Sequence, residues 1–164
     1  MRTRTLLMVV NVIAVMLVAF VLMAQTQEAF YGLWKVDLTK SKYSPGPAPK
    51  SNMKKYEPWK DGFKATQDMV TAKGEKVHVE VIAKVDGKDY PGKGSPDADT
   101  YAFKRIDART YEVTQKKDGK VTIVAKMAVA ADGKSRSIVQ TGKNAKGEAV
   151  NNSIYWDKVE GSQK

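Results

Sequence analysis

Few side chains in this chain could support acid–base or metal chemistry. His78 is the only imidazole, Glu80 lies two residues away on the same face of a predicted strand, and there is no cysteine. A typical zinc site needs further nitrogen or sulfur ligands, and a nucleophile needs a base beside it. No nucleophile-elbow pattern is present. We therefore predict that His78 is an exposed strand residue, and that the protein has no catalytic residue, no metal site and no enzymatic activity.

Two loop motifs resemble ligand-binding sequences without completing them. The segment Gly87–Gly94 nearly matches the phosphate-binding P-loop, but Gly94 stands where a magnesium-binding hydroxyl is needed and no helix is predicted to follow. Asp97 and Asp99 could supply part of a calcium shell, which requires six to eight oxygens. We expect a flexible, lysine-rich hairpin loop and an Asp-initiated turn instead, and no cofactor.

The chain is strongly basic. It has 28 Lys and Arg against 18 Asp and Glu, a net charge of +10. Such a charge attracts lipid headgroups, other anionic envelope surfaces or nucleic acid at low salt. No dense basic stretch is interleaved with aromatic residues, so we expect no specific nucleic-acid partner. A solvated lysine face that protects strand edges is the simpler reading.

Aromatic and methionine side chains are the remaining resource for binding. Alternation along strands places Phe63 with Met69, Tyr101 with Phe103, and Ile154 with Trp156 on shared faces. In a wide barrel these residues would line a pocket, and in a narrow one they would fill it. The candidate ligand-binding residues are Trp34, Phe63, Met69, Tyr101, Phe103, Tyr111, Met127 and Trp156.

The elements that must position these residues are predicted to be strands. Asp-Gly pairs at 61–62, 86–87, 118–119 and 132–133 favour type I′ hairpin turns. Between them apolar residues alternate with polar ones, as in Val77, Val79 and Val81. We predict nine strands, at 31–38, 51–60, 63–72, 76–85, 99–106, 110–117, 120–130, 135–142 and 149–159.

This pattern predicts an all-β fold. Sequential antiparallel strands leave exposed edges unless the sheet closes, so we expect an antiparallel up-and-down β-barrel of about 8–10 strands. A two-sheet β-sandwich is the alternative. The proline-rich segment 43–50 should cross in polyproline-like form, and segment 86–97 should be the most mobile loop.

The first 24 residues differ from the rest. Arg2 and Arg4 precede an apolar run from Leu6 to Ala24, the plan of a signal peptide with cleavage after Ala24. The run is also long enough to be an uncleaved membrane anchor. Either reading exports residues 25–164, which we expect to form one domain in the periplasm or outside the cell.

The two ends of this domain carry a family resemblance. Gly32-Leu33-Trp34 resembles the G-x-W opening of the lipocalin and fatty-acid-binding group, the calycins, and Ile154–Val159 resembles the last strand of the fatty-acid-binding branch. With the proline-rich loop, the segment looks most like small exported bacterial proteins described as lipocalin-like. The resemblance implies a calyx that holds an apolar small molecule, with Trp34 packed across its closed end.

Two features depart from that family. The arginine that usually packs on the Trp near the last strand is absent after Arg136. A short proline segment stands where fatty-acid-binding proteins have a helix pair, so a portal of that type is not expected.

These observations lead to two functional hypotheses. In the first, a non-enzymatic exported barrel binds or carries a small apolar or amphipathic ligand, with a lysine at the mouth pairing an anionic head group. In the second, a filled barrel binds anionic polymers or membrane through its basic surface. The sequence does not indicate an oligomeric state.

Overall fold

The computed structural model describes residues 31–161, which form a closed antiparallel barrel of ten strands. Consecutive strands pair along the whole chain, and β1 closes the barrel by pairing with β10, with Trp34 opposite Lys158. The predicted up-and-down barrel is therefore confirmed, and the alternative sandwich is not adopted. The strands are β1 (Gly32–Lys42), β2 (Ser51–Trp59), β3 (Gly62–Val70), β4 (Lys76–Ala83), β5 (Asp89–Lys93), β6 (Thr100–Arg105), β7 (Thr110–Lys117), β8 (Lys120–Val129), β9 (Ser135–Lys143) and β10 (Ala149–Lys158).

The prediction of nine strands is wrong by one. The tenth, β5, lies inside segment 86–97, which was expected to be a mobile loop; it pairs with β4 through Val81 and Gly92 and with β6 through Tyr90 and Tyr101. Its signal is hidden because Pro91 and Gly92 are rare in strand interiors. Strand β5 is only five residues long, and Gly92 suits it because a Cβ there would meet the ring of Tyr101.

Each strand reverses the direction of the one before, so the connections fall into two groups. The connections β1–β2, β3–β4, β5–β6, β7–β8 and β9–β10 lie at one end, the open end. The other four connections lie at the opposite end, the closed end, together with the start of β1 and the end of β10. The described residues include no helix that is long and apolar enough to cross a membrane.

The core is densest near the closed end. Trp34 is fully buried there, in agreement with its expected place, and Phe63 packs edge-to-face on Phe103 with ring centroids 4.9 Å apart. Alternating residues of β4 and β8, including Val81 and Met127, belong to the same core cluster. The closed half of the barrel is therefore filled by side chains, and any internal space must lie toward the open end.

Candidate functional site

An internal cavity occupies the open half of the barrel. Its outer part has a volume of about 330 Å³ and a small inner part extends it by about 50 Å³. The two parts share the lining residues Lys54, Gln67, Val79, Tyr101, Gln115, Ile138 and Gln140. The barrel is thus hollow toward the mouth and filled at the closed end. The two alternatives that the sequence allowed, a barrel with a pocket and a filled barrel, each describe one half of it.

Loops of the open end form the mouth of this cavity. The proline-rich segment contributes Tyr43, Pro47 and Pro49, and the β5–β6 connection contributes Ser95 and Pro96. The proline-rich segment is held to β10, since the Ser44 amide donates to Asn152 Oδ1 over 2.9 Å and the Asn151 amide donates to the Ser44 carbonyl over 2.7 Å. The segment therefore acts as a fixed side of the mouth.

Polar side chains form a belt around the middle of the cavity. Lys54 on β2 lies opposite Gln67 on β3, and Gln115 and Gln140 project from β7 and β9. Asn152 Nδ2 donates to Gln140 Oε1 over 3.1 Å. Amide groups can both donate and accept hydrogen bonds, so the belt suits the polar end of a bound molecule.

Lys54 is the cation of this belt. The charges that act on it belong to Tyr56 and Arg136 and not to a carboxylate, and its Nζ lies 5.6 Å from the centroid of the Trp156 ring. Burial lowers the pKa of Lys54, and the charge of Arg136 lowers it further. The sequence predicted a lysine at the mouth to pair with an anion. In the structure Lys54 lies deeper, where the two parts of the cavity meet.

No carboxylate balances the positive charge of the interior. Arg136 and Asn52 are the buried polar or charged residues within 31–161. Asp97 is the one carboxylate residue that lines the cavity; it lies at the mouth, and its Oδ1 accepts a hydrogen bond from the Ala145 amide over 2.9 Å. The two internal cations consequently lack a carboxylate partner within the part of the chain that the structure describes.

Arg136 lies beneath the belt among three aromatic rings. Its guanidinium carbon is 4.5 Å from the ring centroid of Trp34, 4.9 Å from that of Tyr56 and 5.1 Å from that of Trp156. The prediction that Trp34 lacks its arginine is thus wrong, because Arg136 on β9 supplies it. Burial lowers the pKa of Arg136 to about 10.

Three polar atoms of the cavity wall have no hydrogen-bond partner. They are the Tyr43 hydroxyl, Asn52 Oδ1 and Trp156 Nε1, and all three residues line the outer part of the cavity. Buried polar atoms are normally satisfied by protein or water. These three atoms are therefore enclosed within the cavity wall as well as unpartnered.

The structure separates the sequence-predicted binding residues into two groups. Met69, Tyr101, Phe103, Met127 and Trp156 line one or both parts of the cavity. Trp34, Phe63 and Tyr111 are buried in the closed end and line neither part.

Sequence analysis missed the polar belt. Lys54 and Gln67 were present in predicted strands, and alternation from Tyr56 and Phe63 would have turned both inward. That signal was weak because an inward lysine contradicts the usual apolar-inside pattern.

The remaining motifs have structural explanations. His78 is exposed on β4, as predicted, and its Nδ1 lies 2.7 Å from Asp68 Oδ1. The P-loop-like segment contains β5, and no helix follows it. Asp99 accepts a hydrogen bond from the Asp118 amide over 3.0 Å. Residues 31–161 contain no group of three or more His, Asp or Glu side chains that could hold a metal ion.

Comparisons with known proteins extend to the fold alone. No family model matches the chain, and no curated protein does. Among solved structures, the barrel is similar to that of a zebrafish ileal bile acid-binding protein crystallised with cholic acid. The TM-score is 0.48 at 16% sequence identity, over 80% of this chain and 99% of that one.

Proposed function

We propose that the protein is a non-enzymatic binding protein that holds a small amphipathic anion in its barrel, in the periplasm or outside the cell. The observation that carries the proposal is the position of Lys54, a cation in the cavity wall that no carboxylate among residues 31–161 balances. Hydrogen bonds to a charged group are the stronger kind, and they gain most where water is scarce.

The size and lining of the cavity support the same ligand class. A volume of about 330 Å³ lies at the small end of the range for ligand pockets. The anionic group would sit at Lys54, with the glutamines of the belt as further donors. The apolar part would extend toward the mouth between Ile138, Ile154 and Tyr101, which line the outer cavity.

Calorimetry with matched amphiphiles tests the proposal. Decanoate should bind, and decyltrimethylammonium, which has the same chain and the opposite charge, should not. Lys54→Gln should weaken decanoate binding by about 10- to 100-fold, the loss of one charge-assisted hydrogen bond. Lys55→Gln is the matched control, because Lys55 is the exposed neighbour on the same strand and pairs with Glu57 at 2.8 Å.

Two results would overturn the proposal. Equal affinity for the anion and the cation would mean that the charge of Lys54 does not select the ligand. Equal loss in the Lys54 and Lys55 variants would mean that only net charge matters. Native mass spectrometry of protein exported from a bacterial host, before and after denaturation, would identify a natural ligand and show where the mature chain begins.

A further inference from the structure

Lysines surround the mouth of the barrel. We define the rim as the five connections of the open end with one flanking residue on each side, residues 42–51, 70–76, 93–100, 117–120 and 143–149. The rim contains nine lysines and five carboxylates. Eight of these lysines are exposed on the hairpin tips and strand ends: Lys42, Lys50, Lys73, Lys76, Lys93, Lys120, Lys143 and Lys146.

The eight exposed rim lysines have no acidic partner. None of them forms an ion pair within residues 31–161, whereas the ninth rim lysine, Lys117, lies 3.8 Å from Asp99. Away from the rim some lysines are paired and others, such as Lys60 and Lys88, are not. Lys64, for example, pairs with Glu80 at 2.6 Å, and Lys134 with Glu160 at 3.5 Å. The rim charges are therefore available to an external partner.

The carboxylates of the rim are mostly engaged in holding the loops. Asp97 and Asp99 accept backbone amide hydrogen bonds from neighbouring connections, and Glu148 Oε2 accepts from Asn144 Nδ2 over 2.7 Å. Asp97 and Asp99 are consequently bound to loop backbone, which leaves the exposed lysines in excess at the rim.

The two ends of the barrel also differ in net charge. Counted in the same way, the four connections of the closed end contain six basic and five acidic residues, close to neutral. A charge concentrated at one end orients a protein over a charged surface. The cavity opens within the charged end.

We propose that the rim binds the surface of a bilayer that contains anionic phospholipids. Lysine is a compact cation that attracts phosphate without fixed geometry, which suits a fluid surface. Val121, which at 57% exposure is the most exposed large apolar side chain of residues 31–161, lies beside Lys120 at this end. The exposed aromatic residues Trp59 and Tyr155 lie away from the rim, which argues against stacking on nucleic-acid bases. The rim borders the mouth of the cavity, but none of its exposed lysines lines the cavity, so this inference does not depend on the proposed ligand.

Vesicle co-flotation with charge-matched variants tests this inference. The protein is recovered from an exporting host and mixed with neutral phosphatidylcholine vesicles or with vesicles that also contain phosphatidylglycerol. The readout is the ratio of binding between the two, which removes any charge-independent affinity of the apolar residues 6–24. The rim variant changes Lys73, Lys76, Lys120 and Lys146 to Gln, and the control changes the exposed lysines Lys60, Lys88, Lys104 and Lys126 to Gln.

The wild-type protein should prefer the anionic vesicles, and the preference should fall as salt is raised. Each rim lysine should raise the preference for anionic vesicles about fivefold. The rim variant should therefore lose about a hundredfold or more of this preference, and the control variant far less. Equal losses in the two variants would assign binding to net charge and overturn the inference. Absence of a preference for anionic vesicles would overturn it too, as would rim-dependent binding to RNA or heparin without vesicle binding. Decanoate binding measured without vesicles tests the proposed function separately.

Discussion

The guanidinium of Arg136 lies 4.5 Å from the ring centroid of Trp34 in the closed end of the barrel. The first and ninth strands meet through this contact, although 102 residues separate the two positions in sequence. Arg136 Nη1 lies 3.4 Å from Met127 Sδ, whereas Nε and Nη2 have no hydrogen-bond partner. Arg136 also forms a side-chain hydrogen bond with Tyr56, so this desolvated cation is held by ring faces, by shape and by that bond.

Substitution of Arg136 should therefore cost stability according to volume. Arg136→Ala leaves a cavity among three rings and should lower the free energy of unfolding by about 3 kcal/mol. Arg136→Met keeps most of the volume and removes a buried charge, so it should cost less than about 1 kcal/mol. Urea unfolding of both variants measures the difference. Equal costs would show that attraction between the cation and the rings outweighs packing.

Gly94 is required by the close approach of β4. It has a φ of +88°, and a Cβ there would meet the carbonyl oxygen of His78. Gly87 has a similar φ of +76° but open space around it. Gly94→Ala should destabilise the barrel by at least about 3 kcal/mol, and Gly87→Ala by about 1 kcal/mol. If thermal or urea unfolding gives the same cost for both, backbone conformation alone explains these glycines.

Much of the barrel can be predicted from the sequence, because alternation and Asp-Gly turns act locally. The strands that the sequence predicted, such as β4 and β8, alternate buried valine, isoleucine, alanine or methionine with half-buried or exposed residues over most of their length. Strand β5 was missed because it is held by its neighbours on both sides and not by its own pattern. Closure of the barrel depends on pairing between β1 and β10, which lie far apart in the sequence. The sequence favoured closure indirectly, because consecutive antiparallel strands leave two exposed edges unless the sheet closes.

The candidate site was less predictable than the fold. Aromatic content led to Tyr101 and Trp156, which do line the cavity, but also to Phe63 and Tyr111, which fill the base. Sequence cannot give the height of a residue along the barrel, and height decides between lining and filling. The sequence also cannot show that an inward lysine such as Lys54 lies beside a cavity and not within a packed core.

Tyr43 should make stability sensitive to alkaline pH. Burial raises the pKa of its hydroxyl to about 12, whereas the unfolded chain ionises near 10. Between these values the folded state binds more protons than the unfolded state, so stability falls as pH rises. Burial also raises the pKa values of Tyr101 and Tyr111. The contribution of Tyr43 is therefore measured as the difference in the free energy of unfolding between the wild type and Tyr43→Phe.

At neutral pH Tyr43→Phe should leave stability unchanged or raise it by about 1 kcal/mol, because the hydroxyl has no partner. From pH 10 to 12 the variant should lose less stability than the wild type does. Denaturant titrations at several pH values measure both effects. Parallel pH curves for the two proteins would mean that the hydroxyl stays accessible to water.

Lys54 should give anion binding a characteristic pH dependence. Burial and the charge of Arg136 lower its pKa below the ordinary 10.5, so the amine begins to lose its proton at a lower pH than a surface lysine. Below that pKa the cation is fully formed and decanoate affinity should be constant. Above it, affinity should fall by up to tenfold per pH unit, because a bound anion favours the protonated amine.

Two variants separate Lys54 from other alkaline effects. Lys54→Arg keeps the charge, since a guanidinium holds its proton to a higher pH than an amine in the same place, and its decanoate affinity should begin to fall at a higher pH than that of the wild type. Lys54→Gln should bind weakly at every pH. Calorimetric titrations across the alkaline range measure all three profiles. A wild-type profile as flat as that of Lys54→Arg would place the anion away from Lys54, and a glutamine variant that titrates like the wild type would assign the dependence to another group.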